Sequence, residues 1–192
     1  MADVRVVLAT SNPGKVREAE AILSASGVEV VTMPMWLGEV ENGVTYLENA
    51  RLKAAATLRM VHASVLAEDA GLEVDALNGL PGLRSARFAR AGASGAANNA
   101  KLLRLMKDVP DGKRTARFRA VAVLLNTSGA EIVGEGVLEG SIADAPHGDN
   151  GFGYDPVFIP QGETRTCAEM PDEEKNEISH RSRALHELLK KL

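Results

Sequence analysis

The chain opens with an apolar, β-branched run, Val4 to Thr10, which predicts a buried strand. SerAsnProGly breaks it, and apolar residues then recur at helical spacing (Val16, Ala19, Ile22, Leu23), predicting a helix over Val16 to Ser26 with Gly27 in the C′ role. A strand follows at Val28 to Thr32, then an irregular segment rich in turn formers. Thr45 with Glu48 forms a capping-box pattern ahead of Leu47, Ala50, Ala54, Leu58 and Val61, which line one helix face. Ser64 to Glu68 predicts a short buried strand ending in acids, and Gly79 to Gly82 is a cluster of breakers. A helix is predicted at Asn99 to Met106, strands at Thr115 to Leu125 and Glu131 to Ile142 with a hairpin turn at Asn126 to Gly129, and a strand at Val157 to Ile159. From about Pro171 onward the pattern is helical, with Ser179 placed to cap a fresh helix. Interleaved helices and strands with one antiparallel pair predict an α/β chain with a mixed sheet. No repeat or linker interrupts it, so residues 1–192 are read as a single domain.

Size and charge narrow the classes. A chain of 192 residues hides roughly 70% of its unfolded surface, so no staple is needed. Hydrophobic content of 45% is ordinary for a soluble protein, and a formal net charge of -4 argues against a general polyanion binder. It does not exclude a small polyphosphate held by local cations and a metal. Cys167 is the only cysteine, which rules out an intrachain disulfide and a zinc cluster and fits a reducing cytoplasm. No apolar run approaches the roughly 18 residues of a membrane span, and the one at Val6 to Ala9 is too short for a signal h-region.

Several constellations could carry chemistry. Thr10, Ser11, Asn12, Pro13, Gly14 and Lys15 lie between a strand and a helix N-terminus, where free amides and the helix dipole attract anions. They do not make a Walker loop, because Ala9 and Val16 occupy the positions of its first glycine and its magnesium-binding hydroxyl. A plain structural turn accounts for Pro13 and Gly14 equally well. Glu68 and Asp69 close a strand with a buried-looking approach, the place where ligands bind in open α/β sheets, and hard oxygen donors of this kind suit magnesium. Since adjacent strand residues point apart, Glu68 also reads as the solvated start of a loop. Lys53 on the capped helix reads by itself as a solvated face residue. Lys175, His180 and Arg181 fall in a polar run that could equally be a surface helix laced with ion pairs. His62, His147 and His186 show no partner pattern.

Gly151 to Pro156, GlyPheGlyTyrAspPro, concentrates two of the chain's seven aromatic residues between close-approach glycines. Phe152 and Tyr154 offer flat faces to a base, Gly153 lets the backbone approach and Asp155 adds a carboxylate. The bland alternative is a glycine-rich loop entering a strand with its rings in the core.

Taken in order, ThrSerAsnProGlyLys, GluAsnGlyValThrTyrLeuGluAsnAlaArgLeuLysAla, AlaGluAspAlaGlyLeuGluValAspAlaLeuAsnGlyLeuProGly, GlyPheGlyTyrAspProValPhe and AlaGluMetProAspGluGluLysAsnGluIleSerHisArg resemble the inosine triphosphate pyrophosphatase family, the XTP/dITP diphosphatases. The resemblance runs from Val6 nearly to the C-terminus. It implies an elongated two-lobed α/β fold, a long mixed β-sheet flanked by helices, a central nucleotide cleft, and a cytoplasmic homodimer working with Mg2+. It also implies cleavage of non-canonical purine nucleoside triphosphates (ITP, dITP, XTP) to the monophosphate and pyrophosphate. By motif position Thr10 to Lys15 and Lys53 hold phosphates, Glu41 and Asp69 bind magnesium with Glu68 as an auxiliary, and Asp69 is the catalytic carboxylate. Phe152 stacks on the base, while Gly153, Tyr154, Asp155, Lys175, His180 and Arg181 complete the pocket. Many relatives carry serine where this chain has Ala70, which at most removes one hydrogen bond worth about 1 kcal/mol. The rival readings are a Maf-type nucleotide pyrophosphatase of other base preference and a non-catalytic nucleotide sensor or RNA-binding module. The GlyPheGlyTyrAsp and SerHisArg motifs speak against the first and the acidic balance against the second.

Overall fold

The structure, a computed structural model, describes residues 4–32 and 42–192. Its strands are β1 (Val4–Leu8), β2 (Val28–Thr32), β3 (Val65–Val74), β4 (Thr115–Leu125), β5 (Glu131–Ile142) and β6 (Phe158–Pro160). Its α-helices are α1 (Pro13–Ser24), α2 (Tyr46–Val61), α3 (Gly95–Leu105), α4 (Asp172–Ile178) and α5 (His180–Leu189). The strands form one sheet in the order β2-β1-β3-β4-β5-β6, with β1 parallel to both β2 and β3, and β5 antiparallel to β6. The mixed α/β fold read from the sequence is therefore the fold observed.

Local chemistry explains most boundaries. Asn12 caps α1, its Oδ1 accepting from the amides of Gly14 and Lys15, and Pro13 takes the first helical position, where no N–H is needed. The helix thus begins three residues before the predicted Val16. Thr45 caps α2 through the Glu48 amide, and the Glu48 carboxylate reaches back to the amide of Val44. Asn126 builds the β4–β5 turn by accepting at Oδ1 from the amides of Ser128 and Ala130. Three expectations need correction. α3 begins at Gly95, four residues before the predicted Asn99, because Ser94 caps it through the Ala97 amide. β3 does not end at Glu68 but runs on through both acids to Val74, because cationic and amide partners compensate the buried carboxylates inside the sheet. Residues 155–157 form a short 3-10 turn, so β6 starts at Phe158. The C-terminal helical stretch is broken as anticipated at Ser179, which is extended between α4 and α5.

Two compact units emerge from the backbone: Met1–Asp69 with Ala120–Gly136 and His180–Leu192, and Ala70–Arg119 with Val137–Ser179. Neither is continuous in sequence, which is why no linker marks them. The first has a core of small and β-branched residues, Val7, Ala50, Ala54, Val65, Ala67 and Val123 among them. In it α5 lies close against β5: a Cβ on Gly134 would collide with the Ala184 carbonyl oxygen, and one on Gly136 with the His180 carbonyl oxygen. The second unit packs larger side chains, including Leu102, Met106, Phe118 and Phe158, with the two phenylalanine rings 4.4 Å apart at their centroids.

Candidate active site

In the first unit, β3 presents Glu68 and Asp69 in succession, both buried. Alternation along the strand sends them to different partners. Asp69 receives Lys53 Nζ at Oδ1 (2.8 Å) and the Asn49 side-chain amide at Oδ2 (3.1 Å). Asn49 and Lys53 stand one turn apart on α2, so one helix face supplies both donors. Glu68 is held by Arg181, whose Nη2 donates to Oε1 at 2.9 Å and whose Nε donates to Oε2. Arg181 Nη1 goes to Glu18 on α1, and Lys15 Nζ lies 3.7 Å from Glu68 Oε1.

This cluster has a clear electrostatic logic. Burial by itself pushes the Glu68 carboxyl upward, but the neighbouring Arg181 and Lys15 outweigh it and hold the group far below the usual carboxylate range. Burial lowers the Lys15 ammonium, reinforced by Lys53 and Arg181 and opposed by Glu68 and Asp69. A lysine depressed in this way is one whose charge an arriving anion would stabilise. Arg181 is raised despite its burial, because two carboxylates face it.

The second unit holds the aromatic loop. Asp155 Oδ2 accepts from the amide of Phe152 at 2.7 Å and from Lys175 Nζ, and Lys175 lies 4.9 Å from the Phe152 ring centroid. One carboxylate therefore fixes the loop backbone and the cation under the ring. Asn99 on α3 donates to the Gly153 carbonyl at 3.0 Å. Phe152 is half-buried and Gly153 exposed, whereas Tyr154 is buried in the core, its hydroxyl donating to the Ser85 carbonyl at 2.8 Å and pushed well up by burial.

Several candidates thus stand differently from their sequence reading. Lys53 is not a solvated face residue but a buried partner of Asp69, and Glu68 is not the start of a loop. Arg181 is 2% exposed and committed to two carboxylates. In the first loop, Asn12 already satisfies the Gly14 and Lys15 amides and Thr10 Oγ1 accepts from the Asn12 amide, so the turn's shape follows from its own side chains. Ser11 and Pro13 are exposed there. Ala70 follows Asp69 within β3, and His180 is buried at the start of α5. Glu41 lies outside the described residues. Sequence reasoning missed Asn49, Glu18 and Asn99. Glu18 carried a legible signal, since it stands four residues before Ile22 on the apolar face of α1.

Fold and site together define a mixed-sheet α/β protein whose central strand carries two buried, cation-paired carboxylates. The chain belongs to the Ham1 family, whose family model matches residues 6–191. It is 46% identical over 193 residues to the dITP/XTP pyrophosphatase of Symbiobacterium thermophilum, covering 100% of this chain and 96% of that protein. Among solved structures, a HAM1 protein from Coxiella burnetii matches with a TM-score of 0.84 at 36% identity, covering 98% of this chain and 100% of that one. The nucleoside-triphosphatase (dITP/XTP pyrophosphatase) of Mycobacterium abscessus matches with a TM-score of 0.73 at 41% identity, over 95% and 96% of the two chains.

Proposed function

We infer that this protein is a hydrolase of the nucleotide pool that converts dITP, ITP and XTP to their monophosphates and pyrophosphate. The observation that carries the reading is the Asp69 carboxylate, buried in mid-strand with each oxygen held by a separate donor from α2, in a chain of the Ham1 family. A fixed carboxylate can hold a water in line with a phosphorus atom and accept its proton as the water attacks. Lys53 and Lys15 supply positive charge to the phosphates, with the Thr10 to Gly14 segment directly before Lys15 in sequence. Ala70 retains its backbone amide, which is what a serine at that position would also offer.

Among the described residues no group of three or more acids, histidines or cysteines forms an all-protein metal cage. Magnesium needs no such cage, since it takes one or two carboxylates and completes its shell with water and substrate phosphate. Asp69 and Glu41 would hold it, whereas Glu68 is engaged with Arg181 and serves better as its counter-ion. Bound there, the ion would neutralise charge on the transferring phosphoryl group. Phe152 offers its face to the purine, with Gly153 exposed beside it and Asp155 and Lys175 setting the ring's position. Tyr154 supports the aromatic loop from within its core, Arg181 anchors Glu18 and Glu68, and His180 sits next to Arg181 as a donor for a 6-keto oxygen. Among the described residues no helix is long and apolar enough to cross a membrane. Separately, we propose from the family resemblance that the protein is a cytoplasmic homodimer.

The test is product analysis across ITP, dITP, XTP, GTP, ATP and dUTP with and without magnesium. Pyrophosphate and IMP from ITP, lost completely with chelator, are expected. Release of orthophosphate and IDP would overturn the cleavage position, preference for dUTP would favour a Maf-type activity, and binding without turnover would make the protein a sensor.

A further inference from the structure

Charge alone explains the Lys53–Asp69 pair, but not the neutral side chain buried beside it. Asn49 is 1% exposed. Its amide nitrogen donates to Asp69 Oδ2 at 3.1 Å, and its Oδ1 accepts from the backbone N–H of Gly43 at 2.9 Å. Chemistry fixes that orientation, because a peptide N–H can only donate and a carboxylate can only accept. The fit around Gly43 is tight: a Cβ there would lie 2.8 Å from Asn49 Oδ1 and 2.8 Å from Glu48 Cβ.

We infer that Asn49 is a positioning residue, which joins the backbone ahead of α2 to one oxygen of Asp69 and so sets the rotation of that carboxylate. Lys53 cannot do this by itself. An ammonium is a point charge with rotatable donors and tolerates a range of carboxylate angles, whereas a planar amide anchored at its other end dictates one. The two donors therefore have separate roles, Lys53 neutralising the carboxylate and Asn49 orienting it. The inference rests on the reading of Asp69 as the reacting carboxylate, whose alignment with the attacked phosphorus matters because small misplacements of a reacting group are costly.

A double-mutant cycle on ITP hydrolysis tests it. Asn49→Ala is expected to lower kcat roughly 10- to 100-fold while KM for ITP changes little, and Asp69→Asn to lower kcat roughly 100-fold or more. In the Asp69→Asn background, Asn49→Ala is expected to cost nothing further, since there is no reacting carboxylate left to orient. The same fold-loss in both backgrounds overturns the positioning role and leaves the role of Asp69 standing. Near-normal turnover of folded Asp69→Asn overturns both. Should Asn49→Ala fail to fold, Gly43→Ala answers the same question by crowding Asn49 Oδ1 from outside: it is expected to lower kcat with KM unchanged, again only when Asp69 is present. Wild-type kcat in Gly43→Ala overturns the inference.

Discussion

In the first unit the clustered charges stand on regular elements: half-buried Lys15 and buried Glu18 on α1, Lys53 on α2, Glu68 and Asp69 on β3, Arg181 on α5. In the second, Phe152 lies on irregular backbone and Asp155 opens the short 3-10 turn that follows it, and the carboxylate is spent partly on the loop's own amide. Helices and strands satisfy their own backbone, so side-chain charges placed on them can be aimed at one another and at a ligand. A loop has unsatisfied amides, and a buried carboxylate that accepts from one of them gives it a fixed shape. Rigid geometry suits the atoms that react. On the proposed reading a shaped loop suits the face on which a flat base would rest, where stacking tolerates small displacements.

The largest effect that would break this contrast is at Arg181. Replacing it with alanine leaves Glu18 and Glu68 buried without their guanidinium, and we expect a loss of about 3–5 kcal/mol in urea unfolding. An unchanged midpoint, with the preference for ITP over ATP narrowed, would instead make Arg181 a reader of the base. Next comes Phe152→Ala. Because stacking is indifferent to the 6-substituent, hydrolysis of ITP and of ATP should both weaken by about 1–3 kcal/mol in the specificity constant. Unequal losses would show that the loop discriminates. Tyr154→Phe sharpens the point from inside the core: removing the hydroxyl that bonds Ser85 should lower stability by about 1 kcal/mol and leave turnover of ITP as it was. A marked fall in turnover without a stability change would place Tyr154 against the ligand.

The smallest effect lies outside both clusters. Asp75 is held below its ordinary range by hydrogen bonds from Thr115 and Arg117, aided by the charge of Arg117. Its folded value is lowered from 3.8, so its contribution is complete above that pH and disappears as pH falls through the lower, folded value. Its side chain is 45% exposed, so solvent screening limits the contribution to about 0.5 kcal/mol. The difference in Tm between wild type and Asp75→Asn should hold near neutrality and close on acidification. A difference that widened in acid would reverse the assignment.

Periodicity and turn chemistry made much of the frame legible. Thr115–Leu125 and Glu131–Ile142 are strands to the residue, Thr45 caps α2, and Ser179 marks the break between α4 and α5. Ordered motifs were enough to place the family. What local pattern could not convey is who partners whom. Lys53 reads as solvated because a lysine on a helix usually is, and only the strand running beneath α2 makes it the mate of Asp69. Glu68 reads as the end of a strand because a buried acid is costly, and only Arg181, 113 residues away, removes that cost. Gly134 and Gly136 fall inside a predicted strand, and only α5 laid on them shows why no side chain fits there. By itself the sequence determined the elements, their caps and the residue types available for chemistry, since those follow from interactions within a few residues. Tertiary structure decided which charges are buried together and how each carboxylate is turned, because those energies belong to contacts between segments that the chain order keeps far apart.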